Sequence, residues 1–263
     1  MARRDWDRSF FRKSPLFWPI ARAAAVLERF AEWPAPEDLA LLFEGEPPVR
    51  FVPARPRPRR APVPAEARYD ARIALDRSVP TRAASWHDLL NALVWASFPR
   101  AKLALHVRQH RMIAARLGDP HLPSSRTKEQ DAVAMLDEGG TLLLCPRAQR
   151  QELADAMKER TGAGVADMVT RGAASVAIFG HAIYEGLACN GPERVNAAAY
   201  VVEVEAIPAG VEARIAAGDA ALAELLSRRE PIRREDFGTI AVAEPLALAT
   251  ASRSSPGGSS PAS

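Results

Sequence analysis

Ser85-Trp86-His87-Asp88-Leu89-Leu90-Asn91-Ala92-Leu93-Val94-Trp95-Ala96-Ser97-Phe98, residues 85–98, is the stretch on which the reading of the fold turns. Ser85 with an acid three positions on has the form of a capping box, so a helix is expected to open at Trp86. Pro99 must bend or stop it, because proline has no N–H to give the preceding turn. Leu89, Leu90, Leu93 and Val94 supply a core-facing side, and Trp86 and Trp95 are read as core before they are read as a ligand-stacking box. His87 and Asn91, four apart, share another face, with Asp88 about 100° round from His87.

Downstream, residues 100–117 read as a second helix ending at Gly118, then a Pro/Ser-containing loop over 119–126. Upstream, Tyr69, Ala71, Ile73 and Leu75 alternate with charged or small residues, which marks a half-buried strand. Residues 131–146 admit two readings. A β-hairpin closed by Gly139-Gly140 is favoured, and a helix ending at Gly139 is the other. Residues 147–160, 172–189 and 210–229 carry helical spacing, and 197–206 read as a strand. Residues 16–31 form an amphipathic pattern, and a short helix is expected after Pro36, where Glu37 and Asp38 suit the positive end of its dipole. Residues 34–64 hold 9 of the 22 prolines, so the segment at 53–60 is read as polyproline II or loose linker. The expected fold is α+β: a mostly helical core at 66–245 with a small sheet, a helical arm and linker over 1–65, and a disordered tail over 246–263.

With 263 residues, 48% hydrophobic and 25% charged, the chain has apolar material for a sizeable core, which excludes a disordered chain or a disulfide-stapled miniprotein. Residues 1–130 carry 23 Lys/Arg against 14 Asp/Glu, and residues 131–263 carry 12 against 18. The basic half does not interleave aromatic residues on a stacking platform, so nucleic-acid binding is disfavoured. Cys145 and Cys189 each sit in an apolar run and are read as packed thiols of a cytosolic protein. The apolar stretch at 17–21 meets Arg22 before a signal-peptide core can form, and no run approaches a membrane span.

The blocks Thr81-Arg82, Trp86-His87-Asp88, Asn91-Ala92-Leu93-Val94-Trp95 and Phe98-Pro99-Arg100-Ala101-Lys102 together resemble a bacterial family of unknown function with the signature T-R-x-x-x-W-H-D-x-x-N-A-x-x-W-x-x-F-P-R-x-K. Gln130-Asp131-Ala132, Leu136-Asp137-Glu138-x-Gly140 and Gly180-His181-Ala182 are similar to its later motifs, with Gln130 standing where that family reads arginine. The resemblance spans about residues 68–190 and implies a boundary and a residue set, without an activity.

The chemistry open to these residues centres on the first turn of the helix at 86. Free backbone N–H groups there favour an anion, and Arg82, Arg100 and Lys102 can add positive charge, with Trp86 and Asp131 as further substrate contacts. His87 is the candidate general acid/base, with Asp88 and Asn91 orienting it or the substrate. His181 and Glu185, four apart, complete the site and can present two ligands to a divalent metal, with Asp131, Asp137 or Glu138 as the third. His106 and His110 share that spacing, but Val107 stands where a zincin needs glutamate, so the pair is set aside; His121 lies in a loop without a recognisable partner. A P-loop, a G-x-G-x-x-G and a G-x-S-x-G elbow are all missing. Two functions lead, a cytosolic enzyme hydrolysing a small anionic phosphoester or amide and a non-catalytic adaptor whose polar signature is a structural network; RNA binding through the basic first half, with steep salt dependence, is the third. The first requires His87 and His181 to lie within about 12 Å of each other, the reach of one modest substrate.

Overall fold

A computed structural model describes residues 5–54, 68–116, 126–159, 161–191 and 194–254. The linker at 55–64, the loop at 119–125 with His121, and the tail beyond Ser254 fall outside the described residues. In chain order the elements are α1 (Ala21–Ala25), β1 (Arg50–Pro53), α2 (Tyr69–Asp76), β2 (Ser78–Thr81), α3 (Trp86–Ser97), α4 (Pro99–Ala114) and α5 (Lys128–Gly139). There follow β3 (Gly140–Pro146), α6 (Arg150–Ala156), α7 (Ala163–Thr170), β4 (Ser175–Ile178), α8 (His181–Asn190), β5 (Val195–Val204), α9 (Val211–Ser227), β6 (Gly238–Val242) and α10 (Glu244–Ser254). The fold is α+β and mainly helical. Its larger sheet runs β4-β3-β5-β6, with β3 parallel to β5 and both outer strands antiparallel; β1 and β2 form a separate parallel pair.

β3 sits at the centre because Leu142, Leu143, Leu144 and Cys145 are apolar on consecutive positions, and a strand covered on both faces needs no alternation. α3 is buried nearly all round, from Leu89 to Trp95, and begins where Ser85 Oγ accepts the Asp88 N–H at 3.4 Å. Pro99 then opens α4, so the chain turns without leaving an unpaired helical N–H. Part of the basic excess is structural. The buried Arg108 on α4 donates to the carbonyls of Leu226 at 3.2 Å and Arg228 at 2.7 Å and pairs with Glu129.

The segment before β1 joins the same core: Phe10, Leu16, Phe17, Ile20 and Leu27 are buried, Phe17 stacks on Tyr184 at 5.5 Å, and Trp18 Nε1 donates to Val176 O at 3.0 Å. Among the described residues no helix is long and apolar enough to cross a membrane.

Several local expectations are corrected. Residues 69–75 are helix, not strand. Tyr69 and Ile73 are i and i+4 as well as alternate positions, so eight residues do not separate the two periods. Residues 131–139 continue a helix rather than one arm of a hairpin. Ala132, Val133 and Leu136 share its buried face, and Thr127 with Gln130 forms a reciprocal capping box at 3.1 and 2.8 Å. Residues 172–189 divide into β4 and α8, and 16–31 is a five-residue helix flanked by 3₁₀ turns. Helix α10 spans Glu244–Ser254, so the residues from 246 to 254 are helix where a disordered tail was expected.

The break between β4 and α8 falls at Gly180. A Cβ there would lie 2.5 Å from Glu138 O and 2.5 Å from Gly140 N, both backbone atoms that cannot swing aside. Gly180 thus lets the start of α8 press against the end of α5, which sets His181 beside Glu138. Gly180→Ala is expected to destabilise the fold by about 1–3 kcal/mol through overpacking, read as a lower urea midpoint at unchanged slope.

Candidate functional site

Three helix ends meet: His87 is the second residue of α3, His181 the first of α8, and Glu138 the last but one of α5. His87 Nε2 and His181 Nε2 face each other at 3.0 Å, and Glu138 Oε2 lies 3.4 Å from His181 Nε2. Each outer ring nitrogen is held. His181 Nδ1 is 2.9 Å from the backbone oxygen of Asp137, and His87 Nδ1 is 3.0 Å from Glu185 Oε2. A carbonyl oxygen accepts only, and an ionised carboxylate does likewise, so both Nδ1 atoms carry the hydrogen. In the neutral rings both Nε2 atoms are then bare lone pairs, aimed at each other with a carboxylate oxygen alongside. Such an arrangement is repulsive unless a cation sits between them.

The donor atoms of His87, Glu138 and His181 all lie within 4.8 Å of one another. Tetrahedral zinc, with bonds near 2.0–2.2 Å, places its donors about 3.3–3.5 Å apart. The contacts of 3.0 and 3.4 Å are close to that spacing, so this His-Glu-His group could hold a metal. Its supports also match what metal-bound imidazoles use: a carboxylate behind one ring and a backbone carbonyl behind the other.

Behind His181 the electrostatics are those of a sealed ion pair. Lys102 has no exposed side-chain surface and donates to Asp137 Oδ1 at 2.5 Å, with its ammonium 5.7 Å from the Trp95 ring and 5.9 Å from that of Phe179. Burial alone would raise the Asp137 carboxyl, but Lys102 and then His181 hold it well below the usual carboxylate range. Burial lowers His181 from 6.5 to about 4, keeping the ring neutral at physiological pH. Glu138 is raised by burial and then by the neighbouring Asp137.

The His181 shift has a sign that can be checked. Between pH 6.5 and about 4 the unfolded chain takes up a proton that the folded ring refuses, so this contribution is complete above pH 6.5 and is lost as pH falls towards 4. Asp137 adds a loss of the same sign below its unfolded value of 3.8. The metal-free chain is therefore expected to lose about 3 kcal/mol between pH 7.5 and 4 from His181 alone, measured by urea unfolding in a chelator.

The other residues singled out from the sequence are dispersed. Arg82 is spent on Asp88, with guanidinium contacts of 2.6, 3.0 and 3.2 Å and its backbone N–H at 2.5 Å from the same carboxylate. Asn91 donates to Tyr69 Oη at 3.1 Å, and its own Oδ1 is buried without a partner. Trp86 packs among Trp6, Phe10 and Trp33 at ring separations of 5.0–5.8 Å. Arg100 is exposed at the first turn of α4, where its N–H and that of Ala101 bond Asp219 on α9. Asp131 is exposed near the start of α5, seven residues or roughly 10 Å along the helix from Glu138. Glu185 supports His87 from behind and stands outside the three-donor group.

His106, set aside in the sequence, bonds Asp70 at 2.9 Å and stacks on Trp95, forming a second buried polar pair that spacing could not disclose because Asp70 lies 36 residues away. A cavity of about 430 Å³ between α6 and the β5–β6 edge and a groove of about 1070 Å³ between α4, α5 and residues 231–235 are both lined without His87 or His181. The centre instead opens at the surface through His87 and Glu138, whose side chains are 34% and 52% exposed.

Residues 49–242 match the family described as "Protein of unknown function (DUF3025)". No curated protein and no solved structure matches the chain.

Proposed function

The chain belongs to the DUF3025 family of proteins of unknown function, and from its site we propose a metal-dependent hydrolase centred on His87, His181 and Glu138. The observation that carries this reading is the pair of Nε2 lone pairs facing at 3.0 Å with their Nδ1 atoms already committed. Two imidazoles and one carboxylate are a donor set for which zinc is the first choice. A bound divalent cation would lower the pKa of water towards neutrality and polarise a carbonyl or phosphoryl oxygen. Glu185 and the Asp137 carbonyl fix the two ring orientations, and the exposed edges of His87 and Glu138 leave an approach for a small substrate. Cys145 and Cys189 are not joined in a disulfide, which supports the cytosolic location expected from the sequence.

Calorimetric titration of the full chain with Zn²⁺ tests the reading. One equivalent should bind at micromolar Kd or tighter. Glu185→Gln keeps an acceptor for His87 Nδ1–H but removes its charge, and should weaken zinc binding about 10–100-fold. The adaptor reading rests on the largely buried pairs Lys102–Asp137 and His106–Asp70, and it requires no zinc uptake at all. Hydrolysis persisting in a chelator would instead favour a metal-free Glu185–His87–His181 relay.

A further inference from the structure

Resting on this metal-centred reading, we infer that the site takes an uncharged acyl compound, an ester or amide, and discriminates against phosphate esters. Charge around the three donors decides between the two substrate classes. Arg82 is held by Asp88 through its guanidinium and its backbone N–H, and Lys102 is sealed on Asp137; each pair is neutral as a unit. Glu138 and Glu185 remain, two negative charges that one divalent cation cancels. Glu138 has Asp137 and Glu185 as negative neighbours and Lys102 as a positive one.

A phosphate monoester would bring nearly two further negative charges against two carboxylates, with the metal as sole counter-charge. An acyl carbonyl arrives uncharged, and its oxygen becomes negative only as the reaction proceeds, when a cation held by the three donors would offset the charge. The chemistry balances without a further reactant. Water adds to the carbonyl carbon, the C–O or C–N bond breaks, and the leaving group departs with the proton the water gave up, yielding an acid and an alcohol or amine.

The test uses zinc-loaded full chain and two substrates with one leaving group, 4-nitrophenyl acetate and 4-nitrophenyl phosphate, beside calorimetric binding of acetohydroxamic acid and inorganic phosphate. Expected are chelator-sensitive hydrolysis of the acetate and phosphate binding at least tenfold weaker than hydroxamic acid. Asp88→Asn, which releases Arg82, should tighten phosphate about tenfold at unchanged zinc affinity, and Arg82→Ala should weaken it further. Phosphate binding as tight as hydroxamic acid, faster turnover of the phosphate ester, or indifference of phosphate to both variants would overturn the inference while leaving the metal centre standing. Failure of the wild-type chain to take up zinc would overturn the reading beneath, and the inference with it.

Discussion

Lys102→Met is expected to destabilise the fold by about 3–5 kcal/mol, among the largest effects open to a single substitution in this chain. The methionine stem refills most of the lysine's volume, so the loss is not one of packing. It arises because Asp137 loses the ammonium 2.5 Å from its Oδ1 and is left as a charge inside the protein. Part of that cost can be escaped by taking up a proton, so the defect should shrink as the pH is lowered towards 4. The double variant Lys102→Met/Asp137→Asn removes both charges and should recover most of the loss, because a pair replaced together avoids the uncompensated ion. Urea unfolding of the two single variants and the double variant supplies the cycle. If the losses simply add, Lys102 and Asp137 are energetically independent and the network behind His181 is not what holds the ring. The consequence for the site runs through the backbone: the Asp137 carbonyl accepts His181 Nδ1–H at 2.9 Å, so a displaced Asp137 lets that imidazole turn.

What the sequence disclosed of this arrangement follows from distance along the chain. The helix at 86–97 was legible because its cap, its apolar face and its terminating proline are all local. For α5 the helix ending at Gly139 was only the second of two readings, although Thr127-Lys128-Glu129-Gln130 is itself a capping box, because the Gly139-Gly140 pair imitates a hairpin turn. Gln130 closes that box, its Oε1 accepting the Thr127 N–H at 2.8 Å. Of the site, His87, His181 and Glu185 were named together, and 94 residues of chain separate the two rings that face each other. Periodicity could not reveal that Glu138 rather than Asp131 faces the histidines, since both lie on one helix two turns apart. Nor could it show that Arg82 and Lys102 had already been claimed. A cation's partner is fixed by packing, and Asp137 reaches Lys102 across 35 residues.

His87→Ala is expected to abolish high-affinity zinc binding, lowering it by a factor on the order of 10³, yet to leave the metal-free protein at pH 8 within about 1 kcal/mol of wild type. The two halves of that expectation have one cause. With both rings neutral and no metal bound, two lone pairs confront each other at 3.0 Å; truncating His87 relieves that repulsion while giving up a side chain that is one-third exposed. With zinc present the balance reverses. Wild type gains about 2.7 kcal/mol at a free metal concentration one hundred times Kd, and the variant gains almost none. His181→Ala should lose zinc to a similar degree but also destabilise the metal-free state, because that ring is 3% exposed and its Nδ1–H serves the Asp137 carbonyl. Thermal unfolding of the three proteins in chelator and in zinc decides the matter. A histidine kept for structure alone would cost the same stability in both buffers, whereas a ligand costs more where metal is offered than where it is withheld.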